Sequence, residues 1–399
     1  MKRRDFLKSA AVMGGAALAG VPSATRAEDN GRGQVKRYRE IGKTGLKMSD
    51  ISFGCGKLSS ASLVARAFDR GVNYFDTAPD YGKSEDVLGE AIKKIGKRDK
   101  MIIASKFCNP PSYPAHLKAG SSEKEYIHAV EESLKRLNTD YLDFCFVHAM
   151  GEMSETVEGE KKRLLDDNML SAAHALKKAG KIRFLAVSSH GPANLEPLMM
   201  AAVKSGHYDM IMPSFNFMKF KDLAGVLKEA KSRRVGVIAM KTLAGAKDVD
   251  LDPGGEEFAP AAFKWVLSHP EVDGLVVTIK SVGDLDAYLK ASGEKFRQAD
   301  AGILRNYEQQ YFASYCRTGC GDCIGSCESG VNIPTALRYK MYFEDYGMEK
   351  RAIESYAKLE GQAVCCASCD DDSCEKACPY GLPVASMLRE AHEQLSLSA

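Results

Sequence analysis

The chain has 399 residues, 45% hydrophobic and 27% charged, enough for one large domain and a small one. Its net charge is +2 and its Lys and Arg residues are spread without a basic stripe, so nucleic acid is not an expected partner. No apolar run reaches the length of an ordinary membrane span, so no stable membrane anchor is expected.

The chain begins Met1-Lys2-Arg3-Arg4-Asp5-Phe6-Leu7-Lys8, a basic pair ahead of a weakly apolar Ala/Gly-rich stretch from Ser9 to Val21. Thr25-Arg26-Ala27 offers a cleavage point. Residues 1–27 therefore read as a twin-arginine signal, with its export machinery as a partner and the periplasm as destination. That route carries folded proteins, which suits a metalloprotein loaded before export.

Alternating strand and helix patterns fill the domain expected over residues 36–300. Gly42 and Gly45 within Arg37–Met48 suggest a small hairpin. Eight short apolar runs follow: Ile51–Gly54, Asn73–Thr77, Met101–Phe107, Tyr141–His148, Ile182–Ser189, Met210–Asn216, Val235–Leu243 and Gly274–Lys280. Near-continuous apolar strands are buried on both faces, as in a parallel sheet. The intervening stretches Ser84–Ile95, Glu123–Leu137, Leu165–Ala179 and Leu223–Ser232 are amphipathic. This alternation predicts an α/β fold, a (β/α)₈ TIM barrel. An open doubly wound sheet is the alternative, weakened because Gly54-Cys55-Gly56 does not continue into a dinucleotide-binding glycine turn.

Barrel chemistry sits at the C-terminal ends of strands. Asp76, Tyr81, Lys106 and His148 fall at or just after successive strand ends. Together with the run Gly82-Lys83-Ser84-Glu85-x-x-Leu88-Gly89, they resemble the aldo-keto reductase family over most of residues 36–293. The resemblance implies hydride transfer between a nicotinamide nucleotide and a small carbonyl or alcohol substrate. Tyr81 would donate the proton, Lys106 would lower its ordinary pKa of about 10, Asp76 would hold Lys106, and His148 would orient the carbonyl. It further implies cofactor contacts from Ser188, Ser189, His190, Asn216, Met240, Lys241, Ile279, Lys280 and Ser281. Lys280 and Ser281 match positions that meet the 2′-phosphate of NADP, which is favoured over NAD. Asp286 departs from the pattern, standing about where many members carry Arg. The loop Met150–Lys162 is expected to border the substrate.

Nine of the twelve cysteines crowd into residues 301–399; Cys55, Cys108 and Cys145 read as small buried apolar residues. One motif holds Cys316, Cys320, Cys323 and Cys327; the other holds Cys365, Cys366, Cys369, Cys374 and Cys378, the last followed by Pro379. Three closely spaced Cys plus a fourth fit [4Fe–4S] clusters, two of them, better than the longer-spaced Cys₄ zinc sites or exported disulfides. By analogy with two-cluster ferredoxins, Cys316, Cys320, Cys323 and Cys378 hold one cluster and Cys366, Cys369, Cys374 and Cys327 the other. Each motif closing its own cluster uses the same eight residues, and Cys365 is spare or substitutes for Cys366. Helices are expected at Thr335–Glu344 and Glu349–Leu359. The segment resembles the ferredoxin-like modules fused to some aldo-keto reductase-like proteins. The expected whole is an exported iron–sulfur oxidoreductase that trades electrons with a redox partner protein. The alternative is an electron-transfer or partner-binding subunit with an idle barrel.

Overall fold

The computed structural model describes residues 32–110, 113–151, 156–189, 194–218, 223–243, 255–311, 316–317, 320–344 and 348–396. The signal read over residues 1–27 and the cofactor candidate His190 lie outside them. Tyr38–Glu40 (β1) and Lys47–Ser49 (β2) form the antiparallel hairpin, pairing Tyr38 with Ser49 and Glu40 with Lys47. Eight strands follow: Ile51–Gly54 (β3), Tyr74–Asp76 (β4), Ile102–Lys106 (β5), Leu142–Met150 (β6), Ile182–Ser189 (β7), Met210–Pro213 (β8), Gly236–Ala239 (β9) and Gly274–Thr278 (β10). They close in the order β10-β3-β4-β5-β6-β7-β8-β9. Every neighbour is parallel. The closed (β/α)₈ TIM barrel is therefore the fold, and the open sheet is excluded.

Side chains two apart on a strand share a face. Tyr74, Ile102, Ala104, Phe144, Phe146, Ala186, Met210, Ile238 and Val276 fill the barrel interior. The residues between them, such as Phe75, Ile103, Cys145 and Val187, pack outward against the helices. Ile41 and Met48 of the hairpin join the interior group and plug its lower end. Gly42 makes this plug fit: its backbone is left-handed, and a Cβ there would lie 2.4 Å from the Gly236 nitrogen.

Aspartates at the lower rim tie successive strands. Asp143 accepts from the Ile103 amide at 3.0 Å, Asp209 from Leu185 at 3.0 Å and Asp273 from Val237 at 3.0 Å. Arg98 and Arg183 brace Asp143, and Lys177 braces Asp209. The lower face of such barrels serves stability.

Two boundaries differ from expectation for identifiable reasons. The stretch Leu165–Ala179 forms one helix, Asp167–Lys178, and a separate helix, Val157–Leu164, precedes it in the segment read as a loop. Asp166 divides them because its carboxylate accepts from the Met169 amide and caps the second helix. β6 runs past His148 to Met150 through a register shift against β7.

Beyond the barrel, Gln298–Tyr311, Ile333–Glu344, Glu349–Ala357 and Val384–Leu395 are helical, with shorter turns at Ala363–Ser368 and Ser373–Lys376. Leu337, Met341, Tyr356, Val384, Leu388 and Leu395 form a core separate from the barrel's. The spacing of Val384, Leu388, Ala391 and Leu395 places them on one face of their helix. Among the described residues no helix is long and apolar enough to cross a membrane.

Candidate active site

Inward alternation delivers the site. The series Tyr74–Asp76, Ile102–Ala104–Lys106 and Phe144–Phe146–His148 carries each apolar interior layer up to a polar residue at the upper rim. Those residues open into a cavity of about 340 Å³ lined by Gly54, Asp76, Tyr81, Lys106, His148, Ser188, Met240, Lys241 and Lys280, among others. The structure thus brings together Asp76, Tyr81, Lys106 and His148.

Lys106 Nζ donates to Asp76 Oδ1 at 2.6 Å and to the Thr77 carbonyl at 2.6 Å, both partners buried. Tyr81 OH lies 3.3 Å from His148 Nε2. The motif after Tyr81 holds this loop in place. Ser84 Oγ donates to the Cys55 carbonyl at 2.8 Å. Glu85 accepts from Ser105 Oγ at 2.5 Å and Arg136 Nε at 2.7 Å. Gly89 lets its helix approach Glu123–Leu137 so closely that a Cβ would sit 2.2 Å from the Arg136 carbonyl oxygen.

One electrostatic expectation is corrected. Lys106 Nζ sits over the face of the Tyr81 ring, 5.0 Å from its centroid, with its donors directed at Asp76 and Thr77. Burial, then the carboxylates of Asp76 and Asp80, push the Tyr81 phenol well above its ordinary value. The phenol is held protonated.

The residues read as cofactor contacts divide. Ser188, Met240, Lys241 and Lys280 line the cavity. Ser188 Oγ accepts from the Ala149 amide at 3.0 Å, bracing a residue whose φ is +50°. Asn216 Nδ2 donates to the Lys241 carbonyl at 2.9 Å, bracing a second left-handed residue at φ +56°. Left-handed non-glycine backbone costs about 1–3 kcal/mol and concentrates at functional sites. Ser189 Oγ is committed to the Met150 carbonyl, and Ile279 is buried in the outer core. Ser281 caps helix Val282–Leu289, while Asp284 Oδ2 takes the Lys280 amide at 2.8 Å and the Ser281 amide at 3.1 Å. Asp286 turns away to Arg70 Nη1 at 2.5 Å.

The roof of the cavity comes from beyond the barrel. Tyr342, Met348 and Arg351 line it, whereas none of the described residues of the Met150–Lys162 loop does. The Arg351 guanidinium stacks 3.4 Å above the Tyr113 ring and 4.9 Å from the Tyr342 ring. Burial, with Lys280 and Arg351 nearby, lowers the Lys57 ammonium below its usual value. The mouth of the cavity is thus positive and suited to an anionic ligand.

The cysteines form two groups. Cys316, Cys320, Cys323 and Cys378 surround a small void with Arg317 and Tyr380 beside them. Burial raises Cys323 to about 12, with Cys320 and Cys378 adding to it. Cys366 is also raised to about 12, by burial and then by Cys365, Cys327 and Cys369. Cys327 likewise raises Cys374. None of the twelve cysteines is joined in a disulfide. Thiols this crowded resist ionising together, and a bound cation relieves the repulsion.

Sequence reading passed over three residues beside the tetrad. Asp80, Cys108 and His116 are buried against His148; Cys108 is buried as expected, and its sulfur faces both imidazoles.

Residues 55–248 match the sequence pattern of the aldo/keto reductase family. The chain is 27% identical over 229 residues to L-glyceraldehyde 3-phosphate reductase of Escherichia coli, covering 53% of this chain and 62% of that protein. It is 29% identical over 262 residues to L-galactose dehydrogenase of Arabidopsis thaliana, covering 60% and 77%. A solved structure from Pseudomonas aeruginosa assigned to the aldo-keto reductases superposes with a TM-score of 0.55 at 25% identity, covering 66% of this chain and 97% of that one. The barrel is thus similar in sequence and in fold to the aldo/keto reductases.

Proposed function

We propose that this chain is an exported oxidoreductase that reduces a small carbonyl compound, or oxidises the corresponding alcohol, at the upper rim of its barrel. The observation that carries the reading is the convergence of Asp76, Lys106, Tyr81 and His148 on one cavity whose mouth is positive. When bound, NADP(H), or NAD(H), supplies or accepts the hydride. Ser188, Met240, Lys241 and Lys280, which line the cavity, would hold it. The Tyr81 phenol gives its proton to the carbonyl oxygen as the alcohol forms. His148 Nε2, within reach of the same oxygen, orients it. Lys106 balances the charge of Asp76 and keeps a cation under the Tyr81 ring.

The cysteine-rich region is read as holding two [4Fe–4S] clusters, which take up and release single electrons when bound. The grouping of Cys316, Cys320, Cys323 and Cys378 around one void supports sharing the fourth ligand across motifs. The closeness of Cys327 to Cys366 and Cys374 supports the same arrangement for the second set. A redox partner protein would then meet this region, and the twin-arginine reading of residues 1–27 gives a periplasmic destination after cluster loading.

The test is to purify the mature protein without oxygen and measure iron, visible absorbance and bound nucleotide together. About eight irons per chain, an iron–sulfur spectrum and a bound or bindable nicotinamide nucleotide are expected. Tyr81→Phe should lower carbonyl reduction by about 10²–10⁴-fold and leave the iron content unchanged. A protein that binds no nucleotide, or a variant with undiminished turnover, sinks the reductase reading and leaves an electron-transfer or partner-binding subunit with an idle barrel.

A further inference from the structure

Three residues gathered against the Nδ1 side of His148 have no place in the reaction described above. Asp80 lies in the loop after β4, Cys108 just beyond β5, His116 in the following loop, and His148 on β6. Each is at most 6% exposed. Their inward atoms meet at one point. Cys108 Sγ is 3.2 Å from His148 Nδ1 and 3.5 Å from His116 Nδ1. Asp80 Oδ2 is 3.6 Å from each of the same two nitrogens. All four ligand atoms lie within 4.8 Å of one another.

We propose that Asp80, Cys108, His116 and His148 form a binding site for a divalent cation of the zinc class. Bonds of about 2.0 Å to nitrogen or oxygen and 2.3 Å to sulfur set the atoms of a one-sulfur tetrahedral site about 3.3 Å apart between nitrogen and oxygen and about 3.5 Å apart where sulfur is one of the pair. The four contacts stand within about 0.3 Å of that spacing. Hydrogen bonding accounts for them poorly. At 3.6 Å the carboxylate–imidazole contacts are too long for N–H···O bonds. One thiol proton cannot serve two imidazoles and a carboxylate.

Charge and donor type agree with the geometry. One carboxylate and one thiolate neutralise a divalent ion, and two neutral imidazoles complete the set. Lys106 is committed to Asp76 and Thr77, and Arg351 is stacked on Tyr113, so neither cation fills the centre. A mixed sulfur, nitrogen and oxygen set matches zinc, whereas magnesium and calcium take oxygen ligands. Asp80 Oδ1 is buried without a hydrogen-bond partner among the described residues.

Binding involves no redox step. The Cys108 thiol loses its proton to solvent, the carboxylate enters ionised, and both imidazoles enter neutral. Metal on His148 Nδ1 leaves the ring proton on Nε2, the atom that faces Tyr81 OH. The site would thus fix the tautomer that donates toward a substrate oxygen. The site itself is independent of the hydride-transfer reading.

The test uses the full-length mature protein, purified without oxygen, incubated with Zn²⁺ and freed of excess metal. Zinc and iron are then quantified by mass spectrometry, and the zinc shell is read by X-ray absorption. About one tightly held zinc per chain is expected, with one sulfur and three nitrogen or oxygen neighbours. Cys108→Ser and His116→Gln should each cut zinc retention at least about tenfold, with iron unchanged. No retained zinc, an all-sulfur zinc shell, or retention unaffected by both variants overturns the proposal. The absorption spectrum of the unmodified protein decides the matter even if neither variant folds.

Discussion

At the scale of single residues, the chemistry of the site turns on which group keeps its proton. A lysine one strand away suggests that the Tyr81 phenol should be easy to ionise. The geometry reverses this, because Lys106 spends its donors on Asp76 and Thr77 while burial and two carboxylates act on the phenol. A phenol raised above its ordinary pKa of about 10 remains an acid throughout the neutral range. Carbonyl reduction, which needs the protonated form, should therefore show no alkaline loss below about pH 10. Alcohol oxidation, which needs the phenolate as base, should climb with pH over that range. Initial rates in both directions as a function of pH check this, and a reduction limb falling near neutrality would assign the acid to another group. The tetrad was legible in the sequence because each member follows an apolar strand and sits in a motif. Cys108 was not: a lone cysteine among apolar neighbours reads as packing. Its partners His116 and Asp80 join it only through the fold. The available signal was the pairing of Cys108 with His116 in one strand-end loop, beside an aspartate already inside the Tyr81 motif.

At the scale of elements, the strands were legible because a buried parallel strand is nearly all apolar, and their ends were less so because apolar sequence continues past the last paired residue. Met210–Asn216 and Val235–Leu243 shorten to β8 and β9, and their remainders turn inward as Asn216 and Lys241. The helix after β10 shows what spacing alone misses. Lys280 and Ser281 stand where a 2′-phosphate is expected, yet Asp284 already occupies the amides of both residues. Ser281 returns the bond to the Asp284 amide at 3.0 Å, completing a capping box. A phosphate arriving at this helix start must displace a carboxylate of its own sign. Asp284→Ser keeps a small polar side chain there and removes that charge. It should tighten NADP binding about fivefold to tenfold relative to NAD, as about 1 to 1.4 kcal/mol at a helix start implies. Competitive titration of both nucleotides against the variant measures the ratio. An unchanged ratio would mean that the phosphate, if bound, sits elsewhere.

At the scale of the whole molecule, the cysteine-rich region does more than share a chain with the barrel. Its helices Ile333–Glu344 and Glu349–Ala357 contribute Tyr342 and Arg351 to the same cavity that holds Tyr81 and His148. Nothing in the sequence announces this roof, because Tyr113 and Arg351 are far apart along the chain and neither belongs to a motif. The contact is a cation over two aromatic rings, at 3.4 Å from Tyr113 and 4.9 Å from Tyr342. Such stacking contributes about 0.5–2 kcal/mol to holding the roof over the cavity. With Lys57 and Lys280, Arg351 also makes the cavity mouth positive. Arg351→Met keeps the length of the side chain but removes the charge and the stack. It should weaken binding of an anionic nucleotide or substrate by about tenfold, the equivalent of one charge-assisted contact. Iron content and the melting temperature should change little, since Arg351 lies outside the cysteine groups and outside both hydrophobic cores. Nucleotide affinity, substrate KM and iron measured on one preparation separate the outcomes. If affinity and KM are unchanged, the roof is a packing contact only. If iron falls with them, the residue acts through the fold of the cysteine-rich region rather than on the ligand.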